Sequence, residues 1–97
     1  MLKPKQRAFL RKMAHDLDPV FQVGKSGVTP ELVTAVSEAL EARELIKINV
    51  LKNCEEEVAE CAEKLSGRTQ SEIVMTIGRR FVLYRRAEEP KIQLPVK

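Results

Sequence analysis

Tryptophan is absent from this 97-residue chain, tyrosine occurs once and phenylalanine three times, so the core it builds must be mostly aliphatic. Cysteine occurs twice and histidine once, too few for a disulfide framework or a four-ligand zinc site. Cys54 and Cys61 stand seven apart in what reads as one helix, which suits two reduced thiols better than a bridge. His15 has no partner visible in the sequence and reads as a surface residue. No apolar run approaches the ~20 residues of a membrane span. The opening Met1-Leu2-Lys3-Pro4-Lys5-Gln6-Arg7 also lacks the apolar stretch of a secretory signal. The expectation is a cytoplasmic protein with no membrane partner, no metal and no cofactor. Paired carboxylates, a nucleophile beside a base and a metal-ligand cluster are all missing in any credible context, so the chain is read as a non-enzyme without a small-molecule substrate.

What is present is ordinary for one compact domain: 43% apolar and 32% charged residues. A second core would leave each half too little apolar surface to offset the entropy of ordering its backbone. A single domain over residues 1–86 is expected, acting as a monomer, with 87–97 as an extended or flexible tail carrying two prolines and no period. The net charge of +3 conceals a segregation. Lys3, Lys5, Arg7, Arg11 and Lys12 open the chain without one acid. Between Glu31 and Glu63, nine acids face only Arg43, Lys47 and Lys52. From Lys64 to Arg86 the sign reverses, with six cations against Glu72. Such blocks imply a two-sided surface whose basic side meets a polyanion, although charged side chains often do no more than solvate a surface.

Periodicity supplies the element order. Phe9, Leu10, Met13 and Leu17 make one apolar stripe on a helix over 4–16, and Asp18-Pro19 ends it. A short strand follows over 20–23. Thr29 and Pro30 suit the cap and first position of a second helix ending near Glu44, with Glu38, Glu41 and Glu44 on its solvated side. Residues 45–51 alternate as a half-buried strand. Asn53 with Glu56 resembles a capping box for a third helix, and Gly67 suits its left-handed end. Residues 71–77 and 81–85 read as strands joined across Gly78-Arg79-Arg80. The order α-β-α-β-α-β-β predicts an α/β fold of the α+β kind, a two-layer sandwich on a mixed four-stranded sheet.

That order places three loops at one sheet edge: Gly24-Lys25-Ser26-Gly27, Lys52-Asn53 and Gly78-Arg79-Arg80. Ligands of open α/β sheets commonly bind outside the carboxyl ends of the strands, where Lys25, Lys52, Arg79 and Arg80 are expected to converge. Two glycines let a phosphate approach main-chain N–H groups, with Ser26 adding a hydroxyl and the second helix its positive end. The GXXG loop of KH domains clamps an RNA backbone by comparable means. The plainer reading is a permissive turn, and what tips the balance is the capped helix behind it and the basic neighbours. A P-loop fits poorly, because it needs glycine five residues before Gly24, where Pro19 stands. Lys5, Arg7, Arg11 and Lys12 of the first helix join the candidate site, since five cations without an acid repel one another unless a polyanion compensates them. Phe81 and Tyr84 are assigned to packing rather than base stacking, for no RNP-type aromatic pattern accompanies them.

Three segments carry a resemblance over nearly the whole chain: Leu17-Asp18-Pro19-Val20-Phe21-Gln22-Val23-Gly24-Lys25-Ser26-Gly27-Val28-Thr29, Glu44-Leu45-Ile46-Lys47-Ile48, and Ile77-Gly78-Arg79-Arg80-Phe81-Val82-Leu83-Tyr84-Arg85. Together they resemble the CRM domain family (chloroplast RNA splicing and ribosome maturation), in particular its free-standing bacterial YhbY-type members. The resemblance implies a fold similar to the C-terminal domain of a bacterial translation initiation factor. It implies RNA binding without catalysis, the glycine-flanked loop as a principal contact, and large-subunit rRNA precursor or the pre-50S particle as partner. A protein-interaction module docking on a ribosomal protein through the acidic helices is the alternative.

Overall fold

The computed structural model describes residues 2–96. The elements are α1 (Pro4–Ala14), β1 (Pro19–Val23), α2 (Pro30–Arg43), β2 (Leu45–Val50), α3 (Val58–Thr69), β3 (Glu72–Ile77) and β4 (Arg80–Tyr84), in the expected order. They form one mixed sheet with strand order β1-β2-β4-β3. β1 and β2 are parallel, while β4 runs antiparallel to both β2 and β3. β1, β2 and β3 therefore point the same way and end at one edge. β2 and β3 do not pair, because the turn at Gly78-Arg79 folds β4 back into the gap between them. Phe81, Val82, Leu83 and Tyr84 are all buried, and a strand apolar on both faces belongs in a sheet interior.

Alternation along the strands sorts the core into two clusters. Ile46, Ile48, Val50, Phe81 and Leu83 face Val36 and Leu40 of α2 and Cys61, Ala62 and Leu65 of α3. These two helices share a face of the sheet, as right-handed crossovers require. On the other face Leu45, Val74, Val82 and Tyr84 meet Leu10 and Ala14 of α1, with Ile92 and Leu94 of the C-terminal segment packed alongside. Phe81 and Tyr84 are thus core residues, one on each side.

Several local expectations shift in the structure. The contact line of α1 runs through Leu10 and Ala14, leaving Phe9 38% and Met13 39% exposed. The small Ala14 side chain lets the helix settle close to the sheet, which rotates the larger residues to the flank. The Thr29 hydroxyl accepts the Leu32 N–H at 3.1 Å, the expected cap of α2. α3 instead begins after Glu57, whose N–H is met by Glu60 Oε1 at 3.3 Å, so the capping pair lies four residues beyond Asn53 and Glu56. Gly67 stays inside α3, and Gln70 takes the left-handed end at φ 55°.

The largest departure is Glu44, expected on a solvated face and found wholly buried. At the end of α2 its φ of 67° swings the side chain off the helix surface. Its carboxylate accepts the N–H groups of Ala87 (2.9 Å), Lys91 (2.6 Å) and Ile92 (2.7 Å). Burial pushes this carboxyl up, but the three donors and the Lys91 charge outweigh it and leave it below its ordinary value. Residues 85–96 contain no helix or strand, and this carboxylate holds them against the sheet.

Candidate nucleic-acid interface

The loop after β1 closes as a tight turn, with the Gly27 N–H donated to Gly24 O at 2.9 Å. Its two glycines serve different ends. Gly27 adopts φ 69°, and a Cβ there would come within 2.3 Å of Glu56 Oε1. That carboxylate accepts the Val28 N–H at 3.0 Å and pairs with the Lys64 ammonium. The Lys64 hydrogen bond foremost, and then the Val28 N–H, hold the Glu56 carboxyl below its ordinary value. Glycine at 27 is therefore favoured first by the left-handed backbone and then by the braced carboxylate beside it. Gly24 has no positive φ, and a Cβ on it would meet only Leu51 Cδ1 at an ordinary 3.8 Å. Nothing in the fold requires glycine at position 24.

The donors at this end of α2 are fewer than the sequence suggests. Val28 N–H belongs to Glu56, Leu32 N–H to the Thr29 hydroxyl and Val33 N–H to Thr29 O. Among the described residues, nothing accepts the N–H of Lys25 or Ser26, both exposed at the tip of the turn. The backbone donors left unclaimed at this end are thus those of the turn tip, beside the exposed Lys25 side chain.

The three loops do meet at one edge. Leu51 N–H donates to Val23 O at 2.9 Å, and Val50 N–H to Arg79 O at 2.7 Å. Arg79 donates from Nε to Val50 O (2.9 Å) and from Nη2 to Leu51 O (2.6 Å), so its guanidinium ties the hairpin to the end of β2. Lys52 stands exposed on the adjoining turn, closed by Cys54 N–H on Leu51 O at 3.1 Å. Arg80 turns to the α1 face of the sheet and borders a recess there with Lys47 and His15. Of the four cations expected to converge, Lys25 and Lys52 stand free on the edge, Arg79 clamps it and Arg80 points around the corner.

The α1 cations divide in the same way. Arg7 donates from Nη1 to Ile73 O and to Val74 O (3.3 Å), covering carbonyls of the edge strand β3 where its register shifts. Lys5, Arg11 and Lys12 are exposed and pair with nothing among the described residues. The last turn of α1, with Arg11 and Lys12, approaches the hairpin, whereas Lys5 lies about 10 Å back along the axis. Lys47 and Glu56 were not among the candidate site residues read from the sequence. Lys47 occupies a polar slot in an alternating strand, and Glu56 was assigned to a cap, so neither signalled its tertiary neighbour.

Cys54 precedes α3 rather than lying within it, and its sulfur comes to 3.9 Å from that of Cys61, both thiols being free. Burial first, then the neighbouring sulfur, pushes the Cys61 thiol up to about 12. No group of three or more metal-ligating side chains occurs among the described residues, and no described helix is long and apolar enough to cross a membrane.

The family model for the CRS1 / YhbY (CRM) domain matches residues 2–85. The chain is 52% identical over 96 residues to "Probable RNA-binding protein YqeI" of Bacillus subtilis (strain 168), spanning 98% of this chain and 100% of that protein. It is 40% identical to an "RNA-binding protein" of Haemophilus influenzae, spanning 99% and 97% of the two chains. The solution structure of SAV1595 from Staphylococcus aureus superposes with a TM-score of 0.82 at 46% identity, covering 98% of this chain and 100% of that one.

Proposed function

The chain belongs to the CRS1 / YhbY (CRM) domain family, and from that premise we propose that it is a non-enzymatic RNA-binding protein that holds a phosphate backbone at the 24–27 turn. The observation that carries this reading is the pair of unclaimed N–H groups at Lys25 and Ser26, beside an unpaired ammonium and a glycine that folding does not require. A phosphate there gains two backbone donors and a charge-assisted contact from Lys25. Lys52, Arg11 and Lys12 extend the track, Arg80 continues it onto the sheet face, and Lys5 adds a more distant charge. Arg7 and Arg79 support the site by holding its frame. The partner is large-subunit rRNA precursor in the pre-50S particle, met in the cytoplasm by a monomer whose 1–86 unit carries the contacts, while the described part of the extended 87–97 segment is packed back on the sheet through Glu44. The acidic-helix alternative has less surface than the sequence offered. Of its nine acids, Glu41 bonds Arg85 and the Glu88 N–H, Glu44 is buried and Glu56 holds the loop.

The test is binding to a transcribed rRNA-precursor fragment across a salt series. Lys25→Ala is expected to weaken binding to all RNA sequences and to lower the salt slope by about one ion. Gly24→Val should weaken binding at least as much, with an unchanged circular dichroism spectrum. Unaltered affinity in both variants would remove the turn from the interface. Crosslinking in cells that recovers mature messenger RNA and no ribosomal precursor would refute the assembly role while leaving RNA binding intact.

A further inference from the structure

Lys47 sits oddly for a lysine. It lies in β2, an interior strand, in register with Pro19 on one side and Val82 on the other. Its side chain is on the α1 face, partly covered, and no carboxylate or carbonyl among the described residues receives its ammonium. Beyond the last turn of α1 that face of the sheet opens toward solvent at Ile77, with Met75 half-buried and Val82 2% exposed at the bottom. Met75, Ile77 and Val82 make an apolar floor, with Ile77 58% exposed, and Lys47, Arg80 and His15 stand around it. The recess, partly open to solvent, offers about 130 Å³ and has no acidic residue in its lining. A cavity of about 150 Å³ holds benzene, so this space matches a single flat ring rather than a helix or a peptide segment.

An apolar floor one ring wide, rimmed by Lys47 and Arg80, which pair with nothing among the described residues, fits a planar heterocycle joined to a phosphate. Its position fits as well. Ile77 and Arg80 flank the hairpin turn, and Arg79 between them is bonded to the loop that carries Lys52. A strand held by its phosphates at Lys25 and Lys52 can turn this edge and lay its next base on the sheet. We propose that the recess is a subsite for one unpaired nucleobase of single-stranded RNA, floored by Ile77, Met75 and Val82, with Lys47 and Arg80 taking the flanking phosphate or the base edge. The subsite rests on the RNA-binding reading above and adds to it a preference for unpaired strands, with aliphatic packing where other RNA-binding sheets use aromatic rings.

Two oligoribonucleotides of equal length test it, one with all its bases and one made abasic throughout, each titrated against the full chain. The base-bearing strand is expected to bind about tenfold more tightly. Ile77→Asn, at an exposed position, and Lys47→Met should each erase most of that preference, with circular dichroism and thermal unfolding confirming the fold. Gly24→Val should weaken both strands by a similar factor and keep the preference. Equal affinity of the wild-type protein for the two strands would overturn the subsite and leave backbone binding standing. A preference untouched by Ile77→Asn and Lys47→Met would overturn its location. Binding of neither strand would overturn the RNA-binding reading, and the subsite with it.

Discussion

Two glutamates, Glu44 and Glu56, each hold an irregular segment by accepting backbone N–H groups, and the segments they hold differ in kind. Glu44 is sealed from water and uses both oxygens on three donors of the C-terminal segment, drawing Ile92 and Leu94 onto the second core cluster. Glu56 is partly exposed, and accepts the Val28 N–H on one oxygen and the exposed ammonium of Lys64 on the other. The first closes a surface. The second braces the back of the 24–27 turn and leaves its tip open: a fixed frame with donors still unclaimed.

Breaking the first anchor should have the largest effect. Glu44→Ala strands one buried and two part-buried N–H groups and loosens the segment that packs on the second core cluster, so a loss of about 3 kcal/mol is expected by chemical denaturation. A value near zero would mean the segment packs without its anchor.

The two glycines separate frame from tip. Gly27→Ala meets the braced carboxylate and a left-handed φ together, and should cost about 2 kcal/mol of stability. Gly24→Ala should change stability by less than about 0.5 kcal/mol. If the two variants unfold at the same denaturant concentration, the division of the turn into frame and tip is lost.

Acid titration compares the two anchors directly and gives the smallest effect. Both carboxyls lie below their ordinary value in the folded protein, so the unfolded chain binds more protons over that interval and stability rises with pH there. Their contribution is complete above the unfolded value of about 4.3 and is lost as pH falls through the folded values beneath it. Glu44→Gln should flatten this acid limb at any salt concentration. Glu56→Gln should flatten it less, and less still in high salt, because its Lys64 partner is screened.

Much of the fold was legible because it is local. The Thr29-Pro30 start of α2, the alternation of β2 and the apolar run of β4 each declare themselves within a few residues, and the order of elements placed three loops at one edge. The candidate site was legible only in outline. The glycine-flanked turn could be found by pattern and Lys25 by charge, but Arg7 and Arg79 look identical to Lys25 and Lys52 in a list of cations. Folding gives the first pair carbonyls to bind and leaves the second pair without partners among the described residues.

The sequence by itself determined the elements, their order and the basic edge, since hydrophobic period and capping act between residues one or two turns apart. Only the tertiary structure decided which glycine the fold needs, which cations are free, and where a lysine borders an open recess. Those outcomes depend on contacts such as Glu56 with Val28, 28 residues apart, and Glu44 with Ile92, 48 apart. Neither partner's local sequence carries the other's position, so the pairing exists only once the chain has closed around it.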